Sequence, residues 1–241
     1  MIDPRLAVLD ARLAGVRRIL AVTGGKGGIG KSVVSCLCAL ATADRGRRTG
    51  LFDLDLTSPT DHVILGAPMG FPSEEFGIDP LQHAGLHLMS LAMFAGSTPA
   101  PLRGTALTDA VLELCAITRW GELDLLVLDM PPGIGDTALD TMRFLPRCEY
   151  LAVTQPSLVV HETVRRTLRL LGERDARVLG LVENRQRDTA ATAARALAGD
   201  TGVQWLGGIP DDGDLEGALG AVGRLRRTAV YEAVRALLGR L

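Results

Sequence analysis

Residues Gly24-Gly25-Lys26-Gly27-Gly28-Ile29-Gly30-Lys31-Ser32 satisfy G-x-x-x-x-G-K-[ST] through Gly25, Gly30, Lys31 and Ser32. Glycines at these positions let main-chain N–H groups approach phosphate oxygens, the lysine reaches the β- and γ-phosphates, and the serine hydroxyl ligates Mg²⁺. The implied chemistry is binding of a nucleoside triphosphate with Mg²⁺ along Gly25, Lys26, Gly27, Gly28, Ile29, Gly30, Lys31, Ser32 and Val33. A glycine-rich turn that fits by accident is the competing account. The flanks argue against it: the apolar run 18–23 reads as a strand leading in, and 32–43, free of Gly and Pro, as a helix leading out. That order puts the loop at a helix N-terminus, where anions bind.

Three carboxylates follow at the ends of apolar runs. Leu51-Phe52-Asp53-Leu54-Asp55 supplies two, and Leu125-Leu126-Val127-Leu128-Asp129 supplies the third, followed by Met-Pro-Pro-Gly. A strand-terminal aspartate of this kind holds Mg²⁺ directly or through water. Any one of them could instead cap a turn; three beside a phosphate loop favour the metal role.

The elements needed to position these groups are legible as an alternation. Strand-like runs at 48–53, 86–91, 123–129, 150–154, 178–183 and 203–208 alternate with helix-like stretches at 105–118, 136–144, 159–171 and 189–198. Strands apolar on both faces and separated by helices predict a single α/β domain over 1–241, a mainly parallel sheet with helices on both faces. Ligands bind beyond the C-terminal ends of such strands.

The chain has 241 residues, 47% hydrophobic and 4% aromatic, enough for a substantial core of aliphatic side chains. Its net charge is −2, from 26 basic and 28 acidic residues without a long run of either sign, so nucleic acid is not an expected partner. Residues 1–17 are interrupted by Asp3, Arg5, Asp10, Arg12 and Arg17, which reads as a lead-in helix and not a signal peptide. No run approaches the ~20 apolar residues that cross a bilayer, and a soluble, cytoplasmic protein is expected. Residues 224–241 read as one amphipathic C-terminal helix whose Ala, Val and Leu face packs on the sheet, so membrane anchoring is not expected.

Cys36, Cys38, Cys115 and Cys148 have no disulfide-like spacing and read as small buried side chains. Cys36 and Cys38, two apart on a helix, point about 200° away from each other and do not converge on a metal. Gly85 interrupts any helix that would bring His83 and His87 together, so they read as loop or strand-edge residues, with His62 and His161 elsewhere. No metal ligand is assigned beyond those for Mg²⁺.

Lys26 is one lysine more than a phosphate loop needs; on its own it reads as a solvated loop residue. With it, the loop resembles that of the deviant Walker-A ATPases, a P-loop NTPase group containing MinD, ParA, the nitrogenase iron protein and the Mrp/ApbC iron–sulfur carriers. The resemblance implies that Lys26 crosses a two-fold interface to the partner's nucleotide, and hence an ATP-dependent homodimer that hydrolyses ATP. Lys26 and Lys31 then both act on phosphate charge. It further implies that Asp55 orients the attacking water, that Asp53 is a Mg²⁺-water ligand or switch support, and that Asp129 is the Walker-B residue, with the order of the first two open.

Longer stretches are similar to the Mrp/ApbC branch. Asp53-Leu54-Asp55-Leu56-Thr57-Ser58-Pro59-Thr60 looks like D-x-D-x-x-G-P-S with Ser58 for the glycine, and Arg103-Gly104 and Trp120-Gly121-Glu122-Leu123-Asp124 follow in the family's order. Asp129-Met130-Pro131-Pro132-Gly133-Ile134-Gly135-Asp136, Thr154-Gln155-Pro156, Leu181-Val182-Glu183-Asn184 and Gly208-Ile209-Pro210 complete the series. By this resemblance Asn184 hydrogen-bonds adenine and the Pro210-Asp211 turn lies against the base, making ATP the expected nucleotide. Asn184 also reads as an ordinary turn residue.

Two departures bear on function. The carriers continue from E-N-M into a C-x-x-C pair, whereas Glu183-Asn184 runs into Arg185-Gln186-Arg187-Asp188 with no cysteine after Cys148. Without those thiolates a bridging iron–sulfur cluster is not expected. Val33 stands where many relatives carry a hydroxyl residue, a loss of ~1 kcal/mol that binding should survive. The expected role is a maturation factor or metallochaperone acting on a metalloenzyme or assembly factor; a MinD- or ParA-like positioning switch and a nucleotide-dependent scaffold with little hydrolysis are the alternatives.

Overall fold

The computed structural model describes residues 3–56, 58–68, 70–95, 105–133, 135–187 and 192–240. Thr57, Arg103-Gly104, Ile134 and the start of the helix expected at 189 lie outside the described residues. The strands are β1 (Ile19–Thr23), β2 (Thr49–Asp53), β3 (Leu81–His83), β4 (Leu86–Ser90), β5 (Leu125–Asp129), β6 (Cys148–Thr154), β7 (Arg177–Gln186) and β8 (Trp205–Pro210). They form one sheet in the order β3-β4-β2-β5-β1-β6-β7-β8. The β3–β4 pair is antiparallel and the other pairs are parallel, so the predicted α/β class holds. β1, β2, β5 and β6 are buried along their whole length, as strands covered on both faces must be.

β1 lies at the centre. The helix Lys31–Ala43 carries the chain from β1 past β5 to β2, while β6 joins the other side of β1. Strand order therefore reverses at β1, which opens a crevice at its C-terminal end, where the glycine loop sits. The helix buries Val34, Cys36, Leu37, Cys38, Ala39, Leu40 and Ala41. Truncating a fully buried residue such as Leu37 to alanine costs about 2–5 kcal/mol.

Several expectations are corrected. The predicted lead-in helix is shorter, Pro4–Leu13, started by Asp3 accepting the Arg5 N–H at 2.9 Å; beyond it Arg17 N–H bonds the Leu123 carbonyl. The expected C-terminal helix over 224–241 is broken. Val222–Leu225 ends, Thr228 caps Ala229–Leu237 by accepting the Tyr231 N–H at 3.1 Å, and Leu238–Arg240 tightens into a 3₁₀ turn. The hydroxyl cap restarts the helix at Ala229. Val230, Tyr231, Val234 and Leu237 are buried, and this helix packs on Lys31–Ala43 and β8. No helix among the described residues is long and apolar enough to cross a membrane. β3 is not among the strands expected from the sequence: His83 and His87 occupy the β3–β4 hairpin, His83 on the Leu65 carbonyl and His87 on the Gln82 amide.

Candidate functional site

The glycine loop connects β1 to the helix Lys31–Ala43. Gly30 has φ +88°, in the left-handed region, and a Cβ there would lie 2.2 Å from the Asn184 side-chain nitrogen. Both facts require glycine. Asn184, buried at the C-terminal part of β7, donates its amide to the Ile29 carbonyl at 2.8 Å. On the other flank Gly25 lies against Thr163, and the Gln155 amide reaches the Gly28 carbonyl at 3.5 Å.

Lys31 is buried, its ammonium 3.5 Å from the Lys26 carbonyl. Burial pushes its pKa down, and the carboxylates Asp129 and Asp55 oppose that shift. Lys26 is exposed, and among the described residues its side chain has no hydrogen bond or ion pair. Val33 is partly buried against the core.

Strand register assembles the acidic side. Asp53 and Asp129 are direct partners across β2 and β5. Asp129 accepts hydrogen bonds from Ser32 and Ser35, the latter at 2.8 Å. Asp53 holds the following segment: it accepts the N–H groups of Asp55, Thr60 and Asp61 at 3.1, 3.0 and 3.3 Å, and the Ser90 hydroxyl at 3.3 Å. Asp55 is half-buried and accepts the Ser58 N–H at 3.2 Å.

Asp61 joins this group, and sequence reasoning missed it. It opens the short helix Asp61–Leu65, where an acidic first-turn residue ordinarily faces water. Here it is fully buried, and carboxylate oxygens of Asp53, Asp61 and Asp129 lie within 4.8 Å of one another. One Asp61 oxygen contacts the Cys36 thiol at 3.3 Å and the other has no hydrogen-bond partner. Burial, then the neighbouring Asp129, pushes Asp53 up to about 8. Burial pushes Asp129 up to about 6 against the pull of its serine donors, and Asp61 well above the carboxylate range. Three buried acids cannot all ionise beside a single lysine. A hard divalent cation next to Ser32, Asp53 and Asp129 fits this oxygen-only donor set.

The Pro210-Asp211 turn adjoins the end of β7: Pro210 pairs with Gln186, and the Asp211 N–H donates to the Gln186 carbonyl at 3.1 Å. Asn184 and this turn thus share one rim of the crevice. The cysteines stand apart from it in chemistry. All four are buried thiols, and burial pushes Cys38, Cys115 and Cys148 up to about 12.

Comparison with known proteins supplies the family. Residues 15–213 match the family model ParA, described as NUBPL iron-transfer P-loop NTPase. An iron–sulfur cluster carrier protein of Pseudomonas fragi is 33% identical over 82% of this chain and 74% of its own length. A protein of the same name from Mycobacterium bovis is 36% identical over 69% of this chain, which spans only 44% of that protein. Among solved structures, a nucleotide-binding protein in complex with ADP from Archaeoglobus fulgidus aligns with TM-score 0.75 and 27% identity, covering 91% of this chain and 92% of that one. The Pyrococcus horikoshii septum site-determining protein MinD, complexed with Mg-ADP, shares the fold at TM-score 0.67 and 22% identity, covering 92% and 94%. The chain belongs to the ParA family of NUBPL-type iron-transfer P-loop NTPases.

Proposed function

We propose that this chain is a Mg²⁺-dependent ATPase that works as a homodimeric switch, its ATP state presenting a surface to a metalloenzyme or assembly factor undergoing maturation. The observation that carries the reading is the convergence of buried Lys31, Asp53 and Asp129 with partly buried Ser32 under the loop, while Lys26 stays exposed on it. Lys31 meets the β- and γ-phosphates, and the loop N–H groups take the remaining oxygens. Ser32, Asp53 and Asp129 would hold Mg²⁺, which when bound would supply positive charge against the phosphates. Asp55 orients the attacking water. Lys26 reaches the nucleotide of a second copy, where its charge stabilises the transition state.

Leu158 and Val159, 83% and 64% exposed, open the helix that follows Gln155. They put apolar surface beside the loop, as closure of two copies over their nucleotides requires. Asp53 is the candidate switch element, because it ties β2 to the Asp55–Asp61 segment. A γ-phosphate that pulls on this segment would favour one dimer arrangement over the other.

Asn184 supports ATP over GTP. Since Ile29 offers a carbonyl, the Asn184 nitrogen must be the donor, which leaves its carbonyl oxygen for the adenine amino group. Guanine presents an acceptor there. Pro210-Asp211 would flank the base.

The relatives' name favours maturation over positioning, and the apolar face of the Ala229–Leu237 helix is already used in packing. With no cysteine after Cys148, the metal would be held by the partner. Affinity capture with Asp55→Ala protein and Mg-ATP, followed by protein identification and metal analysis, tests this. A metalloenzyme or its assembly factor is the expected catch; a division or DNA-associated partner would replace the reading with the positioning one.

A further inference from the structure

We propose a second ligand site, for a small organic anion carrying two or more acidic groups, at the end of the sheet opposite the phosphate loop. A cleft of about 460 Å³ opens there, lined chiefly by Arg17, Arg18, Arg45, Arg47 and Asp124. Arg17 and Arg18 precede β1, Arg45 and Arg47 follow the C-terminus of the helix Lys31–Ala43, and Asp124 precedes β5. The helix runs from one site to the other, a separation of about 20 Å at 1.5 Å per residue.

Among the described residues, the charges of this cleft are not balanced. Arg17 lies 3.3 Å from Asp124, which Arg48 also approaches at 4.0 Å. Arg18 pairs with Glu149 at 2.7 Å, and Glu149 is shared with Arg177. Among the described residues Arg45 donates only to a neutral group, the Arg235 carbonyl. The Arg47 side chain has no hydrogen bond or ion pair among the described residues. Among the described residues, then, four arginines line the cleft against Asp124 and the neighbouring Glu149, and Arg48 and Arg177 compete for those two carboxylates. The C-terminus of the helix adds a negative partial charge of only about one half, so arginines offsetting the helix dipole do not account for the surplus.

Shape selects the class of ligand. The volume falls in the range of small-molecule sites, about 300–1,000 Å³. Guanidinium forks match carboxylate and phosphate oxygens, and arginines arriving from two separate segments call for more than one anionic group. Leu20, Leu125 and Leu238 supply apolar wall for a carbon skeleton. None of these residues belongs to the nucleotide site, so the proposal is independent of the ATPase reading.

Isothermal titration of the Mg-ADP-saturated protein with tricarballylate and with inositol hexasulfate tests it, because the phosphate loop is then filled and neither probe is a nucleotide. Saturable one-to-one binding of at least one probe is expected, weakening as salt rises. Arg45→Glu/Arg47→Glu should weaken it at least tenfold with Mg-ADP affinity unchanged. Arg47→Gln, which removes no hydrogen bond or ion pair among the described residues, should weaken it at least threefold. Carboxylate preference would identify the ligand as a polycarboxylate, and sulfate preference as a phosphate ester. Failure of both probes to saturate, or equal affinity in wild type and Arg47→Gln, overturns the proposal.

Discussion

The Asn184 side-chain amide donates to the Ile29 main-chain carbonyl at 2.8 Å, joining the C-terminal part of β7 to the phosphate loop across 155 positions of sequence. One side chain thereby braces the loop; under the proposed function the same side chain also contacts the base. Asn184→Ala should weaken ATP binding about tenfold, the worth of one or two hydrogen bonds. It should also narrow the preference for ATP over GTP. Competition against a fluorescent nucleotide reads both, and unchanged ATP affinity would remove Asn184 from the site.

Lys26 has the opposite character, exposed and without a side-chain partner among the described residues. Lys26→Ala should leave nucleotide affinity of the single chain within about twofold and lower turnover by about 10³, the range for a charge supplied in trans. Phosphate release and equilibrium binding separate the two effects. Wild-type turnover in this variant would refute the trans role.

For Asp55, loss of the carboxylate should abolish hydrolysis and let the ATP complex accumulate. Quenched samples of Asp55→Ala should contain ATP where wild type contains ADP. Normal hydrolysis would move the water-orienting role to Asp53.

The trio Asp53, Asp61 and Asp129 makes the nucleotide-free protein sensitive to alkali. Burial and mutual repulsion raise these groups above their unfolded values, so the folded state binds more protons and stability falls as pH rises. Their contribution is fully present below about pH 4 and is lost through about 6 for Asp129 and about 8 for Asp53. Asp61→Asn keeps an acceptor for Cys36 and removes one acid. It should raise stability at pH 8 by about 1 kcal/mol, or about 2–4 °C in midpoint, with little gain near pH 4. A gain of equal size at both pH values would assign the effect to packing.

Much of this arrangement was legible in the sequence because it rests on local patterns. The glycine loop, the helix after it and the strand-terminal Asp53 and Asp129 each depend on neighbouring residues, and the helix 136–144 was read to the residue. What escaped depends on long-range placement. Nothing near Asp61 reports that its short helix turns it inward onto Cys36 and Asp53. β3 is three residues long and gains its identity from pairing with β4, and the continuous apolar pattern of the last segment hid the Thr228 break. The basic cleft likewise draws its arginines from segments that meet only once the sheet has formed.

Sedimentation of the Asp55→Ala protein with Mg-ATP tests most directly whether two copies close over their nucleotides. The account predicts a particle of twice 25.6 kDa with ATP and a single copy with ADP, the larger form being lost in Asp55→Ala/Lys31→Ala. A particle that stays at 25.6 kDa while saturated with ATP would contradict it.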